Sequence, residues 1–300
     1  MNSTRGMTAN YWPGKVVWAP GFLLPLTQAA SKLWAHNRQE HAEGALTSGT
    51  AGYIIGLLVL VMVAGIIDTA GRSVETQWLL GAIAWLFLLI SLWRGPTVFR
   101  LPVLALVLVA TLCECLASLC WGAYEYRLHN LPMYVPPGHG LFYLAALRLS
   151  LLPVIRRAAR SVVRAVLIAA TCWSAHGLLS SPHGDTLGCL CWVLLLYFLL
   201  RGRDPLLFSL TFCLTMGLEF YGTAMGAWHW AAVLPGTGIT ASNPPSAIGA
   251  GYCVLDAISI RVTRFMERYL MPSAPIVAAH QAPPRLDLPH GPSLDLSPVQ

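Results

Sequence analysis

The sequence predicts an all-α membrane protein of about eight transmembrane helices, built as two parallel four-helix repeats with both termini in the cytoplasm. Three observations lead there. The 300 residues are 56% hydrophobic and only 11% charged, with a mean hydropathy of +0.60, whereas a soluble domain carries about 25% charged residues. Apolar runs of about 20 residues recur along the chain, the length that crosses roughly 30 Å of hydrocarbon as a helix. A membrane barrel would show residue-by-residue alternation instead. Finally, one block of features occurs twice in the same order.

The first copy of that block reads Arg94-Gly95-Pro96, an apolar span carrying Glu114, then Gly122-Ala123-Tyr124-Glu125-Tyr126, then Pro136-Pro137-Gly138-His139-Gly140. The second reads Arg201-Gly202-Arg203-Asp204-Pro205, an apolar span carrying Glu219, then Gly226-Ala227-Trp228-His229-Trp230, then Pro244-Pro245-Ser246-Ala247. Five features in one register imply an internal duplication with a period of about 105 residues.

Taken in order, residues 1–50 form a cytoplasmic or interfacial segment. No signal peptide is read there. Trp12, Trp18, Phe22 and Trp34 alternate with Lys15, Lys32 and Arg38, which suits a chain lying on the membrane surface. Pro13, Pro20 and Pro25 break any single long helix. The spans are expected near 51–69, 76–94, 100–121 and 139–155, which make membrane repeat 1 (51–155), and near 161–180, 184–201, 205–227 and 245–266, which make membrane repeat 2 (161–266). The tail 272–300 is rich in Pro and too poor in apolar surface to order itself.

Loop charges support an even count. Arg94, Arg100, Arg156, Arg157, Arg160, Arg164, Arg201, Arg203, Arg261, Arg264 and Arg268 fall in every second connection or after the last span. The other connections carry only Arg72 and Arg127, each near an acid. The excess of positive charge on cytoplasmic loops then orients the whole chain. The near-exclusive use of Arg over Lys suggests a GC-rich, bacterial genome, and so a bacterial inner membrane. The net charge of +6 sits in these loops and does not point to nucleic acid. The eight cysteines lie in apolar spans with neither zinc spacing nor a disulfide framework, so they read as small packing residues.

Four spans per repeat leave both repeats in one orientation, so the halves are related by an axis along the membrane normal. Glu114 and Glu219 then sit at matching depths in the outer half of the bilayer. Eleven residues past each Pro-Pro stand Arg148 and Asp256. A charge at mid-membrane costs roughly 2.5–3.5 kcal/mol on insertion scales, so the two are expected to form a structural ion pair. Snorkelling of Arg148 toward an interface is the rival reading.

Glu114 and Glu219 are the candidate catalytic pair, because a carboxyl group in low dielectric resists ionisation and can donate a proton. The competing reading is that each Glu holds the bundle by hydrogen bonding to a neighbouring helix. Tyr124, Tyr126, Trp228 and Trp230 stand at the ends of their spans, either as interfacial anchors or as an aromatic wall for an apolar substrate or a developing cation. His139 and His229 are candidates to assist at the outer mouth. No His or Glu spacing places two ligands on one helical face, so neither metal nor cofactor is expected. The uncharged stretch Leu234 to Asn243 reads as a lid or re-entrant cap; it lacks the Lys and strand of a phosphate-binding loop.

A Glu within a span followed by Gly-x-Tyr-x-Tyr at its end (Glu114, Gly122, Tyr124, Tyr126) resembles the membrane carotenoid-hydratase family, whose members add water across a double bond of a long polyene. The second copy departs from it, with Trp228 and Trp230 in place of tyrosines. The resemblance implies a lipid-type substrate. Three functions are therefore in play: an enzyme acting on an isoprenoid or other lipid, a proton-coupled transporter or lipid carrier, and a non-catalytic membrane scaffold. The expected partners are membrane lipids and an apolar small molecule.

Overall fold

The computed structural model describes residues 46–269 apart from Arg203. The interfacial segment expected over 1–50 lies almost wholly outside the described residues, and the tail 272–300 and Arg203 of the second motif lie outside them entirely.

Helix α1 spans Leu46–Gly71 and α2 spans Val74–Arg94. Between them Ser73 caps α2, its hydroxyl accepting from Thr76 N at 3.3 Å. Helix α3 runs Arg100–Glu114 and continues as a wider π-type turn over Cys115–Trp121, ended by Gly122. Strand β1 is Tyr124–Tyr126. Helix α4 spans Val135–Leu151 with Pro136 and Pro137 in its first turn, where no amide hydrogen is needed. It ends at Leu152, ahead of Pro153. After a short turn, α5 spans Ala159–Ser180 and α6 spans Thr186–Arg201. Helix α7 (Pro205–Ala224) opens on Pro205 behind Asp204, whose carboxylate accepts from Leu207 N at 3.2 Å. Strand β2 is Trp228–Trp230, and α8 spans Ala250–Tyr269.

A helix stands near each of the eight expected positions, with ends displaced by up to five residues, and the short turn after α4 is itself a helix, Pro153–Arg157. Five of them, α1, α2, α3, α5 and α7, are long and apolar enough to cross a membrane, and α6 is a shorter apolar helix. Helix α4 is short because it is interior. Leu141, Leu144, Ala145 and Ala146 are all within 1% of full burial, so apolar residues cover every side of it. Around it, α1, α2 and α3 turn Leu58, Met62, Leu86, Leu108 and other large apolar side chains outward, as a surface meeting lipid does.

Two apolar cores form, one among α1–α4 and one among α5–α8. They interlock, since α3 packs along α8 and α4 along α7. A third cluster joins β1, β2, Leu234 and Ile239 at the end of the bundle. The stretch Leu234 to Asn243 folds over that end. Trp121 Nε1 donates to Pro235 O at 2.9 Å, and Thr240 N donates to Thr186 Oγ1 at 2.8 Å. Asp68 of α1 anchors the connection after β1: it is paired with Arg127 at 2.5 Å and accepts from Tyr134 Oη at 3.3 Å. Burial first, and then the Asp68 carboxylate, holds the Tyr134 phenol above its usual range, so it stays a donor.

The expected Arg148–Asp256 ion pair does not form among the described residues. The Arg148 guanidinium lies 4.5 Å from the centre of the Tyr53 ring, and Asp256 accepts from Thr211 Oγ1 at 3.1 Å. Counting from Pro-Pro misleads because the two prolines occupy different places. Pro136 and Pro137 lie inside α4, whereas α8 begins only at Ala250, after Pro245 and a turn. Arg148 therefore falls in the last turn of its helix and Asp256 in the second turn of its own.

Candidate functional site

The two Gly-Ala-aromatic-x-aromatic motifs meet each other. Gly122 (φ 75°) and Gly226 (φ 66°) each end a helix in the left-handed conformation that glycine adopts without strain. The chain then reverses into β1 and β2, which pair antiparallel with Tyr124 opposite Trp230, Glu125 opposite His229 and Tyr126 opposite Trp228. Side chains alternate along a strand. Tyr124, Tyr126, Trp228 and Trp230 consequently share one face, and Glu125 and His229 share the other.

The aromatic face holds both glutamates. Tyr124 Oη and Tyr126 Oη donate to Glu114 Oε2 at 2.5 and 2.7 Å. Trp228 Nε1 and Trp230 Nε1 donate to Glu219 Oε2 at 3.0 and 3.1 Å. The second oxygen of each acid meets a group from the helix that follows. His139 Nε2 of α4 lies 2.9 Å from Glu114 Oε1, and Tyr252 Oη of α8 lies 3.4 Å from Glu219 Oε1. Even the backbone is treated alike: Ser118 Oγ donates to Glu114 O and Thr223 Oγ1 to Glu219 O.

The copies differ in length by one residue. Tyr124 follows Glu114 by ten positions and Trp228 follows Glu219 by nine. The π-type turn over Cys115–Trp121 has no counterpart in α7; a turn of that kind takes up one extra residue without ending the helix. It lets the first pair of rings reach its acid as the second pair does. Gly222 serves the second copy differently. A Cβ there would lie 1.9 Å from the Trp228 ring, so the indole needs a glycine beneath it.

Both acids line one cavity of about 300 Å³, together with His139, Tyr134, Tyr252 and all four strand aromatics. Its walls are otherwise apolar, with Leu57, Val61, Leu80 and Leu218 among them. It extends between α1 and α7, where Gly65 and Tyr221 line it and Tyr221 Oη donates to Met62 O at 2.7 Å. Glu114 and Glu219 are 8% and 4% exposed. Glu114 has a titratable partner in His139, while the donors on Glu219 are two indoles and a phenol. Among the described residues, no three His, Cys, Asp or Glu side chains converge to hold a metal, and all eight cysteines are free.

The structure thus brings together Glu114, Glu219, His139, Tyr124, Tyr126, Trp228 and Trp230. It does not bring in His229. That side chain is exposed on the far face of β2, with Nδ1 2.8 Å from Asn243 Nδ2. The alternation of the strand excludes it, as the spacing aromatic-x-aromatic could have signalled. We expect His229→Ala to leave activity at the wild-type level, measured as product formed per mole of protein; a clear loss would return His229 to the site. Tyr252 and Tyr134 were missed by sequence reasoning. Tyr252 carried a signal, standing one helical turn before Asp256 in an otherwise apolar span.

No family model, curated protein or solved structure matches the chain. The class of protein is therefore defined by its own geometry: a helical protein with several membrane-span-like helices around an apolar cavity that holds two buried, hydrogen-bonded carboxyl groups.

Proposed function

We propose that this is an enzyme of the bacterial inner membrane that acts on an isoprenoid or other unsaturated lipid by acid–base catalysis. In this reading all eight helices cross the bilayer as two duplicated halves, both termini are cytoplasmic, and the site opens to the outer half. The observation that carries it is the convergence of Glu114 and Glu219 on one apolar cavity, each held by three donors. A cavity walled by Leu, Val and aromatic rings favours an apolar substrate. Positioned carboxyls in such a place supply a proton to one carbon of a double bond and take one from water or from the adjacent carbon. Glu114 and Glu219 divide the donor and acceptor roles between them. The faces of Tyr124, Tyr126, Trp228 and Trp230 stabilise positive charge developing between them. The partners are membrane lipids.

The test compares lipid and pigment extracts, by mass spectrometry, from a strain lacking the gene and from the same strain with the wild-type gene restored. A defined species that accumulates in the deletion and is converted on restoration supports an enzyme and names its substrate class. Identical extracts overturn it. Uptake or efflux driven by a pH gradient would then assign the same carboxyls to proton-coupled transport, and the absence of that too would leave a scaffold.

A further inference from the structure

Of the buried acids outside that chemistry, Asp68, Asp185 and Asp256, the last lies beside the site. Asp256 is 2% exposed and lies one turn after Tyr252 on α8, so the two share a helical face. Tyr252 stacks on His139, with ring centroids 5.2 Å apart. His139, Tyr143, Thr211, Thr215, Tyr252 and Asp256 together line a second cavity of about 10 Å³. His139, Phe142, Tyr252 and Leu255 line the large cavity as well, so the stacked pair forms part of the wall between the two. The small cavity is about the size of one water; Leu106, Phe142 and Leu255 complete its wall, and the polar side chains among its lining residues are the partners a buried water needs. His139 supplies the second observation. Its Nε2 meets Glu114, but its Nδ1 is buried with no hydrogen-bond partner.

We propose that the small cavity binds a single water that joins Asp256 to His139 Nδ1, and that Asp256 is the proton store from which Glu114 is reset. The proposal rests on the acid–base reading of Glu114. Once Glu114 has given up its proton, the Nε2 proton of His139 passes to Glu114 Oε1. The water gives a proton to Nδ1 and takes one from the Asp256 carboxyl. Glu114 gains one proton, Asp256 loses one, and the imidazole ends neutral in its other tautomer. The Thr211 hydroxyl, already donating to Asp256 Oδ2, steadies the carboxylate that results. Asp256 touches no substrate; it acts through His139.

The experiment uses full-length, 15N-labelled protein in lipid nanodiscs with no substrate added, examined by solid-state NMR. The His139 signals are those lost in His139→Gln. We expect Nδ1 of the wild-type protein to contact water protons and the ring N–H to exchange with them. Asp256→Asn slows that exchange by roughly 10²-fold, the size of a general acid's contribution. An Nδ1 without water contact in the wild type, or an exchange rate in Asp256→Asn within a few-fold of wild type, overturns the proposal. If Asp256→Asn does not fold, Thr211→Val, of nearly the same shape, is read by the same criteria. No turnover is involved, so a failure here is separate from failure of the acid–base reading, which would appear as full activity of Glu114→Gln.

Discussion

Glu114→Gln and Glu219→Gln each lower product formation by about 10²–10⁴-fold, the range of a lost general acid or base, and each folds as stably as the wild type. The second half of this expectation follows from the hydrogen bonds. In the Glu114→Gln protein the new amide oxygen still accepts from Tyr124 and Tyr126, and the amide NH₂ faces His139 Nε2, which accepts it once the neutral ring carries its proton on Nδ1 instead. In the Glu219→Gln protein the amide oxygen still accepts from Trp228 and Trp230, and the NH₂ faces the Tyr252 oxygen. Only the exchangeable carboxyl proton is removed. Glu→Leu at either position would instead leave two or three buried donors unpaired, at about 1–3 kcal/mol each, and would confuse loss of fold with loss of chemistry. Product per mole of protein, measured beside thermal unfolding in nanodiscs, decides the matter. Glutamine variants that keep full activity would make both acids structural.

Asp185→Ala unfolds well below the wild type, with a loss of about 3–5 kcal/mol. This single side chain, with 0% exposure, fastens three pieces of backbone. It accepts from Gly188 N at 3.0 Å as the cap of α6, from Ser242 N at 3.2 Å, and from Ser246 N at 2.6 Å. The last two belong to the chain that leads from β2 to α8 and so places Tyr252. Gly188 leaves the room for this arrangement, since a Cβ there would lie 2.2 Å from Ser246 Oγ. Asp185→Asn keeps one acceptor but turns an amide donor toward a backbone N–H, and falls between alanine and wild type. Thermal unfolding with the three proteins in the same lipid checks the order. An alanine variant as stable as the wild type would show that the loop is held by other contacts.

The positions of the helices were legible in the sequence because long apolar runs declare themselves, and a motif that occurs twice drew attention to the residues that line the cavity. The pairing of Glu114 and Glu219 with ring donors from their own repeats was not written there. It depends on β1 meeting β2 across 102 residues of chain, from Tyr126 to Trp228, and three-residue strands have no periodic signature long enough to read. His229 lies off the cavity because its segment is a strand, on which the middle residue turns away, and not the end of a helix, where three consecutive positions fan around the axis. Arg148 and Asp256 were paired by counting from prolines that occupy different helical positions. Tyr252 came from α8, which begins at Ala250 after the turn that follows Pro245.

The short ladder between β1 and β2 has a consequence for how such a site is assembled and how it diverges. An antiparallel contact between equivalent strands is self-complementary: two identical halves would make it twice over, as a symmetric dimer does. In that arrangement both acids would necessarily carry the same donors. Joined in one chain, the two strands and the acids behind them are free to differ. Here one acid has two phenols and an imidazole, and the other has two indoles and a phenol. Unlike surroundings for like acids are what a donor and an acceptor require, and a single chain supplies them where a symmetric dimer of one sequence does not.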